Sequence, residues 1–282
     1  MTLLQLKKKF SESLSEMYTD SESIFIFQVF AEELLGLNSI QQKQYSEEQI
    51  SVEHEEKFQQ IISELKKGKP YLQILGETEF YGMKIFVDEN VLIPRPETEE
   101  LLEFAIKKIS NLKSQISNHK FLDIGTGSGI IPLVLKKHFP EAEVSTIDFS
   151  EKALETAKKN ADFHQLEINF IHADYLNLNL NKNYDVIISN PPYIGVDEEN
   201  EIADSVKEFE PKMALFSPTS DALIFYRKIA EDSKKYLNEN GLLFLEINQK
   251  LGKETLELHK DFSHSELIKD LSGNDRFIFS IK

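Results

Sequence analysis

The chain has 282 residues, enough for a domain of ordinary size with a smaller companion. Its 48 acidic against 32 basic residues give a formal charge of -16, which repels a phosphate backbone at long range, and the short lysine clusters at 7–9 and 66–67 read as solvated helix faces, so no direct nucleic-acid partner is expected. Without cysteine neither disulfides nor thiolate metal sites can form, and no metal is expected; with no signal peptide and no apolar run near the ~20 residues of a membrane helix, a cytoplasmic protein without a membrane partner is expected.

Residues 2–69 carry a helical pattern, with apolar positions at Leu3, Leu6, Phe10 and Leu14, then along 24–37, then at Phe58, Ile61, Ile62 and Leu65. Four or five short helices are predicted, ended by Gly68 and Pro70, and they hold no catalytic constellation. The segment 78–94, "TEFYGMKIFVDENVLIP", turns to β-branched and aromatic residues around Gly82, which predicts a hairpin. The expected domains are therefore a helical one over 1–75, a hairpin linker over 76–94 and a third segment over 95–282. The last begins with "RPETEELLEFAIKKI", a helix whose acidic first turn suits the positive end of its dipole.

From residue 118 the pattern alternates. Strands are predicted at 120–124, 143–147, 168–172, 184–189, 242–247, 266–270 and 276–281, and helices at 129–139, 151–163, 221–237 and 250–262. Such alternation gives an α/β fold with a Rossmann-like parallel sheet. Only "LSGND" joins the last two strands, too short for a crossover helix, so the seven-stranded sheet should end in an antiparallel hairpin.

"FLDIGTGSGI" places Gly125, Gly127 and Gly129 between the first strand of this sheet and its helix, where the backbone can turn sharply and approach a ligand closely. Asp148, about twenty residues on at the end of the second strand, is placed to accept both hydroxyls of a ribose. A dinucleotide or S-adenosylmethionine satisfies that pairing. The third glycine comes one residue earlier than in the G-x-G-x-x-G dinucleotide loop, which favours the methyl donor. After the third strand, "HADYL" offers Asp174 for an adenine amino group, or as a turn cap, and Tyr175 for the adenine ring.

The fourth strand ends in "SNPPYIG". Pro191 and Pro192 fix φ and leave free carbonyls on a stiff backbone. An amide nitrogen is a poor nucleophile because its lone pair is delocalised. If the Asn190 side-chain oxygen and the Pro191 carbonyl accept its two hydrogens, the nitrogen is held and its developing positive charge is stabilised. Tyr193 is placed to stack on the planar group. No general base is required, since the proton can leave after methyl transfer.

These motifs resemble those of the release-factor glutamine methyltransferases, class I enzymes that use S-adenosylmethionine to methylate the glutamine of the Gly-Gly-Gln loop in peptide chain release factors. The resemblance rests on "GKPYLQILGETEFYGMKIFVDENVLIPRPETEELL", "FLDIGTGSGIIPL", "IDFSEKALETAKKNA", "SNPPYI", "FEPKMALF", "LLFLEINQ" and "NDRFI", and covers nearly the whole chain. It implies S-adenosylmethionine as cofactor, a release factor as partner and the helical domain as its holder. It also implies cofactor contacts from Gly125, Thr126, Gly127, Ser128 and Gly129, from Asp148 and Phe149, from Asp174 and Tyr175, and from Asn190. Asn190, Pro191, Pro192 and Tyr193 would grip the glutamine, with Asn190, Pro191 and Tyr193 catalytic. Arg95 and Glu97 either border the substrate channel or start a helix. Two positions depart from the family pattern: Asn248, where glycine is usual and a left-handed turn is expected, and Ala222, at an expected helix start. The Asn-Pro-Pro-Tyr element is shared with adenine methyltransferases of DNA, so an adenine-N6 methyltransferase and a non-catalytic S-adenosylmethionine-binding protein stand as alternatives.

Overall fold

A computed structural model of the chain describes residues 1–111, 119–195, 198 and 203–282. It divides into two compact units, one of Met1–Gly76 with Asp204–Phe209, the other of Glu77–Ala203 with Glu210–Lys282.

The first unit contains α1 (Leu3–Leu14), α2 (Asp20–Leu35), α3 (Ser39–Gln44), α4 (Val52–Lys66) and α5 (Tyr71–Leu75). Their starts are written locally: Thr2, Thr19 and Asn38 each form a capping box with the Gln or Glu three residues on. The apolar faces close on Phe10, Phe27 and Phe58, whose rings lie 5.2–6.2 Å apart. Gln73 Nε2 donates to the Phe209 carbonyl at 2.8 Å, tying the short helix Asp204–Phe209 to this unit.

The second unit opens with an antiparallel hairpin of β1 (Glu77–Phe80) and β2 (Met83–Phe86). Its two-residue turn, Tyr81 and Gly82, has both φ angles positive, at 51° and 64°, the geometry that matches the twist of a tight hairpin. Next come α6 (Pro96–Ser110), β3 (Lys120–Ile124), α7 (Ile130–His138), β4 (Glu143–Asp148), α8 (Glu151–His164), β5 (Asn169–His172) and β6 (Tyr184–Ser189). After α9, the Asp204–Phe209 helix of the first unit, follow α10 (Lys212–Leu215), α11 (Ile224–Tyr236), β7 (Leu237–Glu246), α12 (Gly252–Glu257), β8 (His264–Lys269) and β9 (Asp275–Ile281). Within the segment 76–94, expected as a hairpin linker, the hairpin groups with this unit. Asn160 of α8 accepts from Phe86 N at 2.7 Å and donates to Phe86 O at 2.9 Å.

The sheet has the order β5-β4-β3-β6-β7-β9-β8, parallel from β5 to β7, with β9 antiparallel to both of its neighbours. The seven expected strands and the terminal hairpin are all present. Strand order reverses at β3, with β4 on one side and β6 on the other, so the carboxyl ends of β3 and β6 flank the crevice where open α/β sheets bind ligands.

Local differences from the sequence reading have local causes. Strand β7 starts at Leu237, which pairs with Tyr184, and the chain bends at Asn240 (φ 62°) before the regular register resumes. Helix α11 starts at Ile224, because the Asp221 carboxylate accepts from Leu223 N at 3.0 Å and turns the chain first, leaving Ala222 in that turn. The expected helix over 250–262 is a 3-10 turn, Gln249–Leu251, followed by the short α12. Asn248 is not left-handed: its φ is -62°, and its side chain accepts from Lys250 N to cap that turn.

Candidate active site

Strand β3 delivers the chain into a turn in which Gly125, Gly127 and Gly129 have φ of 91°, 52° and 86°. Of the three, the last is needed for space as well as for φ. A Cβ on Gly125 would lie 3.5 Å from the Asn190 carbonyl, and one on Gly129 only 3.0 Å from Ala157 Cβ, so Gly129 serves the approach of α7 to α8. The Ser128 carbonyl is held by Asn160 Nδ2 at 2.9 Å. Asp148, at the end of β4, accepts from Gly127 N at 3.0 Å with Oδ2 and from Ser150 N at 2.8 Å with Oδ1. Burial pushes its carboxyl up from the usual range, and these backbone bonds pull in the opposite direction. The carboxylate retains acceptor capacity on its cavity side.

A cavity of about 500 Å³ opens over these strand ends, within the range of small-molecule sites. Its wall contains Gly125, Thr126, Gly127 and Ser128 from the glycine turn and Asp148 and Phe149 from the end of β4. Asp174 and Tyr175 contribute beyond β5, and Asn190, Pro191 and Pro192 beyond β6. Phe149 is 60 % exposed, an aromatic face left open to a ligand. Tyr175 is largely buried and its hydroxyl donates to Asp232 at 2.9 Å, which anchors the ring at the cavity wall. The Asp174 carboxylate caps its own turn, accepting from Leu176 N at 3.1 Å and Asn177 Nδ2 at 2.7 Å, while also facing the cavity.

Around Asn190 the side chains form a chain of hydrogen bonds. Asn190 Nδ2 donates to Thr98 Oγ1 at 3.2 Å, and Thr98 Oγ1 donates to Glu246 Oε2 at 2.8 Å. Tyr193 donates to Glu246 Oε1 at 3.4 Å; it packs partly buried against the core and is not among the residues of the cavity wall. Burial pushes the Tyr193 hydroxyl and the Glu246 carboxyl up, Glu246 to about 7. Arg95 lines the cavity and pairs with the buried Glu210, whose other oxygen accepts from Ile93 N at 3.0 Å. Glu97 does not line the cavity and lies in the first turn of α6, near Glu246 and Tyr193 electrostatically.

The sequence reading assigns no role to Thr98, Glu246, Asn160 or Glu210, nor to the wall built by Met213, Phe216 and Phe225. One signal for Glu246 was available: a single carboxylate inside the apolar run "LLFLEI" demands buried partners. Thr98, Asn160 and Glu210 sit in ordinary helical or loop contexts and carry no such mark.

A family model described as "Methyltransferase small domain" matches residues 107–208. Release factor glutamine methyltransferase of Flavobacterium psychrophilum is 43% identical over 99% of this chain and 98% of its own. The protein of the same name from Streptococcus pneumoniae is 38% identical, again over 99% of this chain and 98% of its own. Among solved structures, the hMettl16 catalytic domain in complex with an RNA hairpin superposes with a TM-score of 0.55 at 19% identity, over 75% of this chain and 80% of that one, a likeness of fold alone. With near-complete coverage in both directions and identity well above 30%, the chain belongs to the release factor glutamine methyltransferase family.

Proposed function

We propose that this protein transfers a methyl group from S-adenosylmethionine to the side-chain amide nitrogen of the glutamine in the Gly-Gly-Gln motif of a peptide chain release factor. The observation that carries the reading is Asn190. With Nδ2 committed to Thr98, its Oδ1 is the atom available to an N–H in the cavity, beside the glycine turn of β3. The cavity fits the cofactor: Gly125 allows close backbone approach, Asp148 keeps acceptor capacity for the ribose, and Phe149 offers an open ring. When bound, S-adenosylmethionine supplies an electrophilic methyl group.

The chain's own residues then have distinct tasks. Asn190 Oδ1 and the Pro191 carbonyl accept the two amide hydrogens, orient the nitrogen and stabilise the positive charge that grows on it during attack. Pro191 and Pro192, both on the cavity wall, keep that carbonyl on a backbone with little freedom to relax away. The proton leaves after methyl transfer, so no side chain acts as a base. The first unit, none of whose described residues is on the cavity wall, is assigned to holding the release factor.

The test is labelled methyl transfer from S-adenosylmethionine to a release factor, to the same factor with its Gly-Gly-Gln glutamine replaced by alanine, to DNA, and to buffer. Label on the intact factor alone supports the reading. Label on DNA would make the protein an adenine methyltransferase acting through the same grip, and label on neither a binding protein.

A further inference from the structure

Strand β7 carries one carboxylate within an apolar run, Glu246, buried to 1 % exposure and absent from the cavity wall. An ionisable group in such a place is energetically costly, and it persists only with good partners. Both of its oxygens are engaged: Oε2 accepts from the Thr98 hydroxyl at 2.8 Å and Oε1 from the Tyr193 hydroxyl at 3.4 Å. The Thr98 hydroxyl has a single proton, and an ionised Glu246, which can only accept, takes that proton. Toward Asn190 it can therefore only accept, which it does from Nδ2 at 3.2 Å. The oxygen and nitrogen of a carboxamide have nearly the same shape, so the hydrogen-bond pattern alone decides which of them faces the cavity.

Resting on the methyl-transfer reading above, we infer that Glu246, acting through the Thr98 hydroxyl, is a positioning residue that fixes the Asn190 carboxamide with its oxygen toward the acceptor nitrogen. Thr98 lines the cavity beside Asn190 and Glu246 stands behind it, so the device is a relay from the core to the reacting group. When Glu246 is protonated on Oε2 it donates to Thr98. The Thr98 proton is then released toward Asn190, which turns its oxygen to receive it and presents its amino group to the cavity. An amino group there repels the N–H of an incoming amide.

Burial places this change near neutrality, with Glu246 raised to about 7. The charged groups facing it divide by element. Arg276 of β9 favours the carboxylate, Glu97 of α6 opposes it, Tyr193 donates to it, and Tyr226 of α11 lies within electrostatic range. Turnover at saturation should therefore lose activity on the acid side through one proton, although no base takes part.

The experiment follows the ¹⁵N side-chain amide resonance of Asn190, assigned by its loss in Asn190→Ala, against pH. It does so in the wild type, Thr98→Val, Thr98→Ser and Glu246→Gln, with turnover on a release factor measured in parallel. The wild-type and Thr98→Ser resonances should move with a single midpoint near neutrality, and the Thr98→Val and Glu246→Gln resonances should lack it. At saturation Thr98→Val should fall about tenfold or more, the equivalent of one net hydrogen bond, with cofactor affinity within about twofold and Thr98→Ser restored to within about threefold. Equal losses in the Ser and Val variants, or a wild-type rate in Thr98→Val, would overturn the relay. If Thr98→Val does not fold, Glu246→Gln decides: a persisting midpoint overturns it. The two readings fail separately. A wild type whose Asn190 resonance follows Glu246 but which methylates no release factor keeps the relay and loses the substrate, whereas a methylating wild type without that midpoint loses the relay alone.

Discussion

Replacing Asp148 by alanine tests the cofactor assignment, because the carboxylate has two sets of partners that respond in different assays. Toward the protein, Asp148 accepts from Gly127 N at 3.0 Å and Ser150 N at 2.8 Å. Toward the cavity, its remaining acceptor capacity is assigned to the ribose of S-adenosylmethionine. Removing a charge-assisted hydrogen bond costs about 1.5–3 kcal/mol, so affinity should weaken about 10- to 150-fold. In the free protein the effects oppose one another: two turn amides lose an acceptor, but a carboxyl whose ionisation burial disfavours is also removed. The free melting temperature should therefore change little, while the rise produced by the cofactor shrinks with its affinity. Titration calorimetry with S-adenosylmethionine, paired with melting in its presence and absence, reads both. Asp148→Asn should fall between wild type and Asp148→Ala, since it keeps one acceptor but sets an N–H against a turn N–H. Affinity in Asp148→Ala within about twofold of wild type would refute the assignment and leave Asp148 as a clamp on the glycine turn.

Asn190→Ala should keep the fold and cofactor affinity yet lose on the order of a hundred- to a thousand-fold in single-turnover methylation at saturation, because its bond strengthens as charge develops; a wild-type rate there reduces Asn190 to a binding contact. Gly129→Ala, with φ at 86° and its new Cβ 3.0 Å from Ala157 Cβ, should destabilise the protein by about 2 kcal/mol in denaturant unfolding, and an unchanged midpoint would show that α7 and α8 can part without loss. Glu246 holds its proton in the folded protein up to about pH 7 but releases it near 4.5 when unfolded, so its contribution is fully present below that window and lost as pH rises through it, about 3 kcal/mol in all. Glu246→Gln should remove that fall, and parallel stability profiles for the two proteins between pH 4.5 and 7 would contradict it.

Most of the sheet could be read from the sequence because each strand's pattern is local and most intervals between the parallel strands hold a helix. The hairpin of β8 and β9 followed from a five-residue connection that no crossover fits. The boundaries that moved were set by pairings outside their own segment. Leu237 belongs to β7 through Tyr184, fifty-odd positions earlier, and Asp221 delays α11 by turning its carboxylate back on Leu223 N. The hairpin β1–β2 was recognisable as a hairpin, but its place was not, since that depends on a single Asn160 side chain bonding both polar groups of Phe86.

The site divides along the same line. Gly125, Asp148 and Asn190 are marked by position, at the ends of three strands that neighbour one another in the sheet, and a parallel sheet brings strand ends together whatever lies between them. What orients those groups comes from elsewhere: Thr98 reaches Asn190 across 92 positions, and Glu246 reaches Thr98 across 148. Asn248 shows the consequence for a position that departs from the family pattern. The sequence suggests a backbone reason for asparagine there, but the backbone is extended, with φ at -62°, and the side chain carries the interaction. Its Nδ2 donates to the Tyr193 carbonyl at 3.3 Å and to Glu198 Oε1 at 2.7 Å, and Glu198 in turn accepts from Gly195 N at 3.1 Å. Glycine at 248 would have no group to make those bonds. The segment that follows Asn190 is therefore held in this chain by the Asn248 side chain, two residues beyond the strand that supplies Glu246. Asn190 is thus braced twice from this stretch of chain, through its own carboxamide by way of Thr98 and Glu246 at the end of β7, and through the backbone three residues on by way of Asn248 just beyond it.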